Sequence, residues 1–191
     1  MVKRILLIQG HPDPLDRHFG HALGDAYRDG AAKAGHEVRS IAVAELEFPP
    51  LRNKAEFDSG DIPAAVAEAQ DLIRWAEHLV IIYPLWLGTM PARLKAFLEQ
   101  TFRPGFALDL DRPWNGLLKG RSARIIVTMG MPALFYRWFY RAHGLKNLKR
   151  NILAFAGLRP VRSTLIGMVE GSDKRREKWL VSIRIMGEKG G

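Results

Sequence analysis

Short apolar segments alternate with helical patterns along almost the entire chain, and this alternation restricts the fold more than any other feature. The first segment, Arg4–Gln9, is apolar and partly β-branched and ends at Gly10, which is typical of a strand buried on both faces. A helical pattern runs from about Asp16 to Ala34, and Gly35 follows it as a C-terminal cap would. Strand, tight loop and helix therefore follow one another as in a parallel α/β sheet.

The same unit recurs through the rest of the chain. Further strands are predicted at Glu37–Val43, Leu79–Tyr83, Arg124–Thr128 and Val161–Ile166. Further helices are predicted at Ala64–Glu77, Ala92–Phe102, Leu134–Ala156 and Asp173–Ile185, with a long irregular segment after the second strand. Five strands joined by helical crossovers predict an α/β fold with a doubly wound five-stranded parallel sheet, helices on both faces, and one domain over residues 1–191.

Composition excludes several kinds of chemistry. The 191 residues contain no cysteine, so disulfides, thiol nucleophiles, thiolate metal sites and iron–sulfur clusters are ruled out. Redox chemistry would therefore need a bound cofactor. No apolar run approaches the roughly 20 residues of a membrane-spanning helix, and the first strand leaves no room for a signal peptide. We therefore expect a cytoplasmic protein.

Positive charge is concentrated in the C-terminal part of the chain. Residues 1–118 contain 13 Lys/Arg and 16 Asp/Glu, whereas residues 119–191 contain 16 Lys/Arg and only 4 Asp/Glu. A basic segment favours nucleic acid, an anionic membrane surface or a polyanionic small molecule such as a dinucleotide phosphate. Composition does not choose among these three partners.

Doubly wound sheets bind ligands beyond the carboxyl ends of their strands, so the loops after strands one, three and four are the candidates. The first loop has neither the glycine pattern of a Rossmann dinucleotide site nor a P-loop. It does place His11, Arg17 and His18 beside the start of a helix capped by Asp16 or a neighbour. A helix N-terminus with basic side chains predicts a phosphate site, and a polar surface turn is the alternative.

The third and fourth loops offer surfaces for an aromatic ligand. In the third, Trp86 lies between Pro84 and Pro91 and is followed by Gly88, which predicts a rigid apolar platform for a flat heteroaromatic ring. The alternative is that Trp86 fills the core or a subunit interface. In the fourth, Gly130 allows the backbone to approach a ligand closely. No spacing of ligands predicts a metal site, and no serine lies at a nucleophile elbow.

Taken together, the three loops resemble one family, the flavodoxin-like NAD(P)H:quinone oxidoreductases, which includes subunits that regulate potassium efflux. The segment Pro84–Lys95 is the most specific part of the resemblance. The other matching residues are His11, Phe19, Arg103–Ala107, Thr128, Gly130, Tyr136 and His143.

The resemblance implies a flavin, FMN or FAD, held without a covalent bond at the carboxyl edge of the sheet. It implies that the flavin phosphate lies near His11, Arg17, His18 and Phe19. It implies that the ring lies on Pro84, Leu85, Trp86, Leu87 and Gly88, with Thr128, Met129, Gly130 and Met131 along its other side. Tyr136 and His143 correspond to residues that stabilise the reduced flavin and the bound quinone.

The activity implied by the resemblance is two-electron hydride transfer from NAD(P)H through the bound flavin to a quinone or another aromatic acceptor. The resemblance also implies a homodimer, with the aromatic segment Phe135–Arg141 near its interface. Five basic residues could favour NADPH through phosphate pairing, or could form a solvated face; they are Arg137, Arg141, Lys146, Lys149 and Arg150. A regulatory subunit docked on a membrane transporter is the alternative function, and no nucleic acid is expected as a partner.

Overall fold

Five parallel strands form one sheet in the order β2-β1-β3-β4-β5 in the computed structural model, which describes residues 2–15, 18–112 and 114–191. The strands are β1 (Arg4–Gln9), β2 (Glu37–Ala42), β3 (His78–Pro84), β4 (Ser122–Met129) and β5 (Val161–Gly167). Neighbouring strands pair in parallel, from β2 and β1 across to β4 and β5. This sheet confirms the predicted five-stranded parallel arrangement.

Helices connect the strands and flank the sheet. They are α1 (Phe19–Lys33), α2 (Lys54–Ser59), α3 (Ala64–Trp75), α4 (Ala92–Thr101), α5 (Ala133–Trp138), α6 (His143–Lys146) and α7 (Asp173–Glu188). A 3-10 turn at Val43–Glu45 and a π-helical segment at Asn147–Ala154 complete the helical structure of the described residues. Within those residues, none of the helices combines the length and the apolar character needed to cross a membrane.

The strands are apolar on both faces because helices cover both sides of the sheet. Successive side chains of a strand point to opposite faces. Ile5 and Leu7 of β1 therefore pack in one core with α1 and α7, whereas Leu6 and Ile8 pack in a second core with α3, α4 and the π-helical segment. The predicted doubly wound architecture is confirmed, and its inner strands are fixed from both sides.

The prediction of one helix over Leu134–Ala156 was wrong. This stretch consists of α5, α6 and the π-helical segment, and the break between α5 and α6 lies at Arg141 and Ala142. Both residues have left-handed backbone, with φ of 51° and 47°. Neither is a glycine, an asparagine or an aspartate, so no local sequence signal marks the break.

The predicted irregular segment after β2 also contains a helix that the prediction omitted. The side chain of Asn53 accepts a hydrogen bond from the Glu56 amide of α2 at 2.9 Å. Asparagine followed three residues later by glutamate is a capping pattern, so the sequence did carry a signal for this helix.

Candidate active site

A cleft of about 430 Å³ opens at the carboxyl edge of the sheet, beyond β1, β3 and β4. The order of the strands reverses between β1 and β3, which is the position where doubly wound sheets bind ligands. The volume lies within the usual range of ligand pockets. The cleft is lined by His11, Asp13, His18, Phe19, Gly20, Pro84, Leu85, Trp86, Thr128, Met129, Gly130, Val169 and Glu170.

The structure brings most of the predicted cofactor residues to this cleft. Those that line it come from all three predicted loops; they are His11, His18, Phe19, Pro84, Leu85, Trp86, Thr128, Met129 and Gly130. Leu87, Gly88, Met131 and Tyr136 lie near the cleft in sequence but do not line it. Arg17 and the predicted cap residue Asp16 lie outside the described residues. The helix begins at Phe19 with His18 as its N-cap.

Two histidines of the first loop form one end of the cleft. The rings of His11 and His18 are stacked with their centroids 3.9 Å apart. Asp13 fixes both rings, because its carboxylate lies 2.8 Å from Nε2 of His18 and its amide donates to Nδ1 of His11 at 3.1 Å. Three groups of the loop therefore hold each other in place at the start of α1.

The start of α1, rather than a charge already present on the loop, suits an anion. Burial lowers the pKa of His11 below its ordinary value, and the neighbouring His18 and His21 lower it further. The hydrogen bond from His18 lowers the pKa of Asp13. The side chain of His18 makes no capping hydrogen bond to α1. The first turn of this 15-residue helix therefore presents the amides of Phe19 and Gly20 to the cleft.

A tight hairpin built by the third loop forms the opposite wall. Trp86 and Thr89 exchange backbone hydrogen bonds of 2.9 and 3.0 Å around a two-residue turn. The turn residues Leu87 and Gly88 have φ of 47° and 81°, as a type I′ turn requires. Trp86 is 49% exposed and its ring lies 6.1 Å from that of His11. Trp86 is therefore a wall of the cleft and does not fill the core.

Tyr136 supports this hairpin from behind. Its ring is fully buried, and its hydroxyl donates to the carbonyl of Gly88 and accepts from the amide of Leu145, both at 3.2 Å. Burial raises the pKa of Tyr136, so the hydroxyl keeps its proton. Gly144 of α6 packs directly against the same carbonyl. The tyrosine thus joins the hairpin to α6.

His143 lies at the first position of α6, with an exposed side chain outside the cleft lining. It neighbours Gly144, which touches the hairpin. The structure therefore places the two predicted catalytic residues behind and beside the hairpin. Whether either acts on a substrate stays a prediction.

The sequence analysis missed the contribution of the loop after β5. Val169 and Glu170 line the cleft, and the amide of Val169 donates to the carbonyl of Met129 at 3.3 Å. Because β5 lies next to β4 in a parallel sheet, its loop reaches the same edge. That placement was the available signal. Asp13 and Gly20 were also missed, although both lie in or beside the first loop.

The chemical character of the cleft fits a phosphorylated aromatic compound. One end offers histidines and helix amides, and the other offers an indole and proline. Between them, in the part of the chain described, the amides of Gly130 and Met131 have no hydrogen-bond partner. A Cβ added at Gly130 would meet no atom within 4 Å, so the backbone there faces open space. No group of three or more histidine or acidic side chains in the described ranges could hold a metal ion.

Comparisons with known proteins agree with this geometry. An NAD(P)H oxidoreductase of Haemophilus influenzae is 26% identical over 183 residues, which cover 93% of this chain and 90% of that protein. An FMN-dependent NADH:quinone oxidoreductase of Nitratidesulfovibrio vulgaris is 27% identical over 181 residues, with 85% of each chain covered. The solved NAD(P)H:quinone oxidoreductase from Methanothermobacter marburgensis superposes with a TM-score of 0.85 at 22% identity, covering 99% and 97% of the two chains.

A family profile described as flavodoxin-like fold matches residues 3–183. The match begins before β1 and ends within α7, so it includes all five strands and each loop of the cleft. The chain belongs to this flavodoxin-like family.

Proposed function

We propose that the protein is an FMN-dependent NAD(P)H:quinone oxidoreductase. One observation carries the proposal: a single cleft joins a histidine-flanked helix N-terminus to an indole-walled hairpin. These are the two halves of a site for a phosphorylated planar ring. The names of the Haemophilus and Nitratidesulfovibrio relatives support NAD(P)H, FMN and quinone as its ligands. They do not favour a regulatory subunit of a transporter.

At the phosphate end, His11 and His18 would hold the FMN phosphate together with the amides of Phe19 and Gly20. A phosphate at a helix N-terminus is stabilised by the free amides and by the helix dipole. The Asp13 contacts orient both imidazoles toward the cleft before any ligand enters. Charge-assisted hydrogen bonds of this kind are about twice as strong as neutral ones.

At the ring end, Trp86 and Pro84 would contact the face or edge of the flavin. The amides of Gly130 and Met131 would donate hydrogen bonds to the flavin edge that gains negative charge on reduction. Bound FMN would supply the two-electron chemistry between NAD(P)H and the quinone. The contribution of this chain is to position the ring, exclude water from it and present fixed donors.

The test of this function is the visible absorption spectrum of the purified protein, recorded before and after FMN is added and after anaerobic addition of NADPH or NADH. We expect flavin bands that bleach with reductant and return with a quinone. A protein that binds no flavin at micromolar FMN, and that oxidises neither nucleotide, would overturn the proposal.

The histidine end yields a specific prediction. Replacing His18 with glutamine should weaken FMN binding about tenfold, the cost of one hydrogen bond to a charged group. Because the pKa of His11 is lowered in the free protein, phosphate binding should draw a proton onto that ring. Binding to wild type should therefore tighten as the pH falls from 8 to 6.5. Fluorescence titration of FMN measures both effects.

His36 provides the matched control, because it lies just before β2 at the other edge of the sheet. The His36→Gln variant should keep both the affinity and its pH dependence. Equal FMN affinity for the His18 and His36 variants would contradict the assignment of the phosphate end.

We also propose that the protein is a homodimer. Phe135, Phe139 and Tyr140 form an exposed ring cluster, with the two phenylalanines stacked at 4.8 Å and each edge-on to the tyrosine. Exposed apolar clusters of this kind mark interfaces. Sedimentation equilibrium should give twice the 21.5 kDa chain mass for wild type and the chain mass for Phe139→Glu. A wild-type monomer at micromolar concentration would contradict the proposal.

A further inference from the structure

A second large concavity lies beside the edge strand β5, apart from the cleft. It has a volume of about 600 Å³ and is lined by α5, α6, the start of the π-helical segment and β5. We call it the basic groove. Its charged lining residues are all cationic: Arg137, Arg141, Lys146, Lys149 and Arg150.

These five cations have no anionic partner in the described structure. Elsewhere in the chain, arginines such as Arg28, Arg74 and Arg176 pair with a carboxylate three residues away. Residues 112–169 contain no aspartate or glutamate at all, so the groove has no local acid that could neutralise it. Five like charges around one concavity repel each other, and a bound polyanion would relieve that repulsion.

An exposed aromatic side chain accompanies the charges. Trp138 lines the groove and is 74% exposed. The left-handed residues Arg141 and Ala142 lie between α5 and α6 and turn the chain into α6, which places cations from both helices around the same space. Indole rings stack on nucleobases, and arginine pairs with phosphate in a bidentate way. The lining thus offers contacts for both parts of a nucleotide.

The groove begins close to the cleft. Gly130 lines the cleft and Ala133 lines the groove, and three residues of chain span at most about 11 Å. A dinucleotide whose nicotinamide reaches the cleft can therefore place its other half in the groove. The volume suits one nucleotide, whereas the flat surface of a membrane would not fill a concave site.

We propose that the basic groove binds the adenosine 2′-phosphate and the adjoining diphosphate of NADPH, which makes NADPH the preferred electron donor. This inference rests on the proposed function, because it identifies the donor of the same reaction. Arg137 of α5, Arg141 of the turn, and Lys149 and Arg150 of the π-helical segment hold the phosphates. Trp138 stacks on the adenine.

The first experiment measures nucleotide binding alone, without turnover. Calorimetric titration of the purified protein with adenosine 2′,5′-bisphosphate and with 5′-AMP compares two ligands that differ only in the 2′-phosphate. We expect the bisphosphate to bind at least tenfold more tightly and to quench tryptophan fluorescence. Equal affinity of the two ligands would overturn the proposal, whether or not the protein binds FMN.

Paired variants test the location. The double variant Lys149→Gln/Arg150→Gln should weaken bisphosphate binding at least tenfold. The control Lys174→Gln/Lys178→Gln removes the same charge from the exposed surface of α7 and should bind like wild type. Equal losses in both double variants would show a nonspecific charge effect and would overturn the assigned site.

Three further measurements compare this ligand with NADH, with a small anion and with a membrane surface. The ratio of kcat/KM for NADPH to that for NADH should fall at least tenfold in the groove variant, through KM. Inorganic pyrophosphate that displaces the bisphosphate at equal concentration would show an unspecific anion site and contradict the proposal. If the protein floated with phosphatidylglycerol vesicles in a way that depends on Lys149 and Arg150, and bound no nucleotide, the ligand of the groove would be an anionic membrane surface and the proposal would be overturned.

Discussion

Replacing Gly144 with alanine is expected to weaken FMN binding at least a hundredfold, which corresponds to about 2.7 kcal/mol or more. The reason is steric. A Cβ at position 144 would lie far inside contact distance of the Gly88 carbonyl oxygen and 2.7 Å from Cα of Thr89. Both are backbone atoms of the hairpin, so no side-chain rotation can make room. The hairpin must move away from α6 and take Trp86 with it.

The hydroxyl of Tyr136 gives a graded comparison at the same junction. Tyr136→Phe removes the hydrogen bonds to the Gly88 carbonyl and the Leu145 amide but adds no atom. Leaving these two buried groups without a partner costs about 1–3 kcal/mol. We expect a smaller loss of FMN affinity than for Gly144→Ala. A slower reduction of fully bound flavin in Tyr136→Phe would support the predicted catalytic role, whereas weaker binding alone would support positioning.

Gly24 of α1 is the matched control for the glycine substitution. A Cβ at Gly24 would meet its nearest neighbour, Nε2 of Gln9, at an ordinary 3.5 Å. Alanine is also the better helix former. Gly24→Ala should therefore keep the FMN affinity and should not lower the midpoint of urea unfolding. If Gly144→Ala bound FMN as tightly as Gly24→Ala does, the hairpin would not be the ring platform.

The strands, and their alternation with helices along the chain, were predictable because strands buried on both faces are continuous apolar runs. Arg4–Gln9 and His78–Pro84 are of this kind, and each ends in a loop rich in proline or glycine. The same logic placed the loops of β1, β3 and β4 at one edge, so most residues of the cleft could be named from sequence, whereas Val169 and Glu170 of the loop after β5 were not. Trp86 could be assigned to the loop, but whether it lined a cleft or filled the core depended on its exposure in the fold.

Tertiary contacts account for what sequence could not predict. The hydroxyl of Tyr136 connects Gly88, 48 positions earlier, with Leu145, 9 positions later, and no local sequence pattern encodes such a connection. The break at Arg141 and Ala142 contains neither glycine nor proline, so no local signal marks it. It accompanies the packing of Gly144 in α6 against the hairpin, which is a tertiary contact. The five cations of the basic groove were noted in the sequence as a helical stretch. Their convergence on one concavity required that break.

Acid is expected to destabilise the protein through His78, a group remote from the cleft. His78 begins β3, is 2% exposed, and places Nδ1 2.7 Å from the hydroxyl of Ser122 at the start of β4. Burial and, to a smaller extent, nearby cations, Lys3 first among them, together lower its pKa to about 4. In the unfolded chain the imidazole returns to a pKa of about 6.5. His78 is therefore neutral in the folded protein at pH values where the unfolded chain already binds a proton.

The sign of the pH dependence follows from this difference. Above pH 6.5 both states are neutral at His78 and its contribution to stability is fully present. As the pH falls from 6.5 toward 4, the unfolded state gains a proton that the folded state resists, so the free energy of unfolding falls by about 1.4 kcal/mol per pH unit, or about 3 kcal/mol in total. The lowered pKa of His11 acts in the same direction.

Urea unfolding at pH 7.5, 6 and 5 should show this slope for wild type and for His143→Gln, an exposed control, and a clearly shallower slope for His78→Gln. Identical slopes for the two variants would mean that His78 is not the group that couples protonation to unfolding.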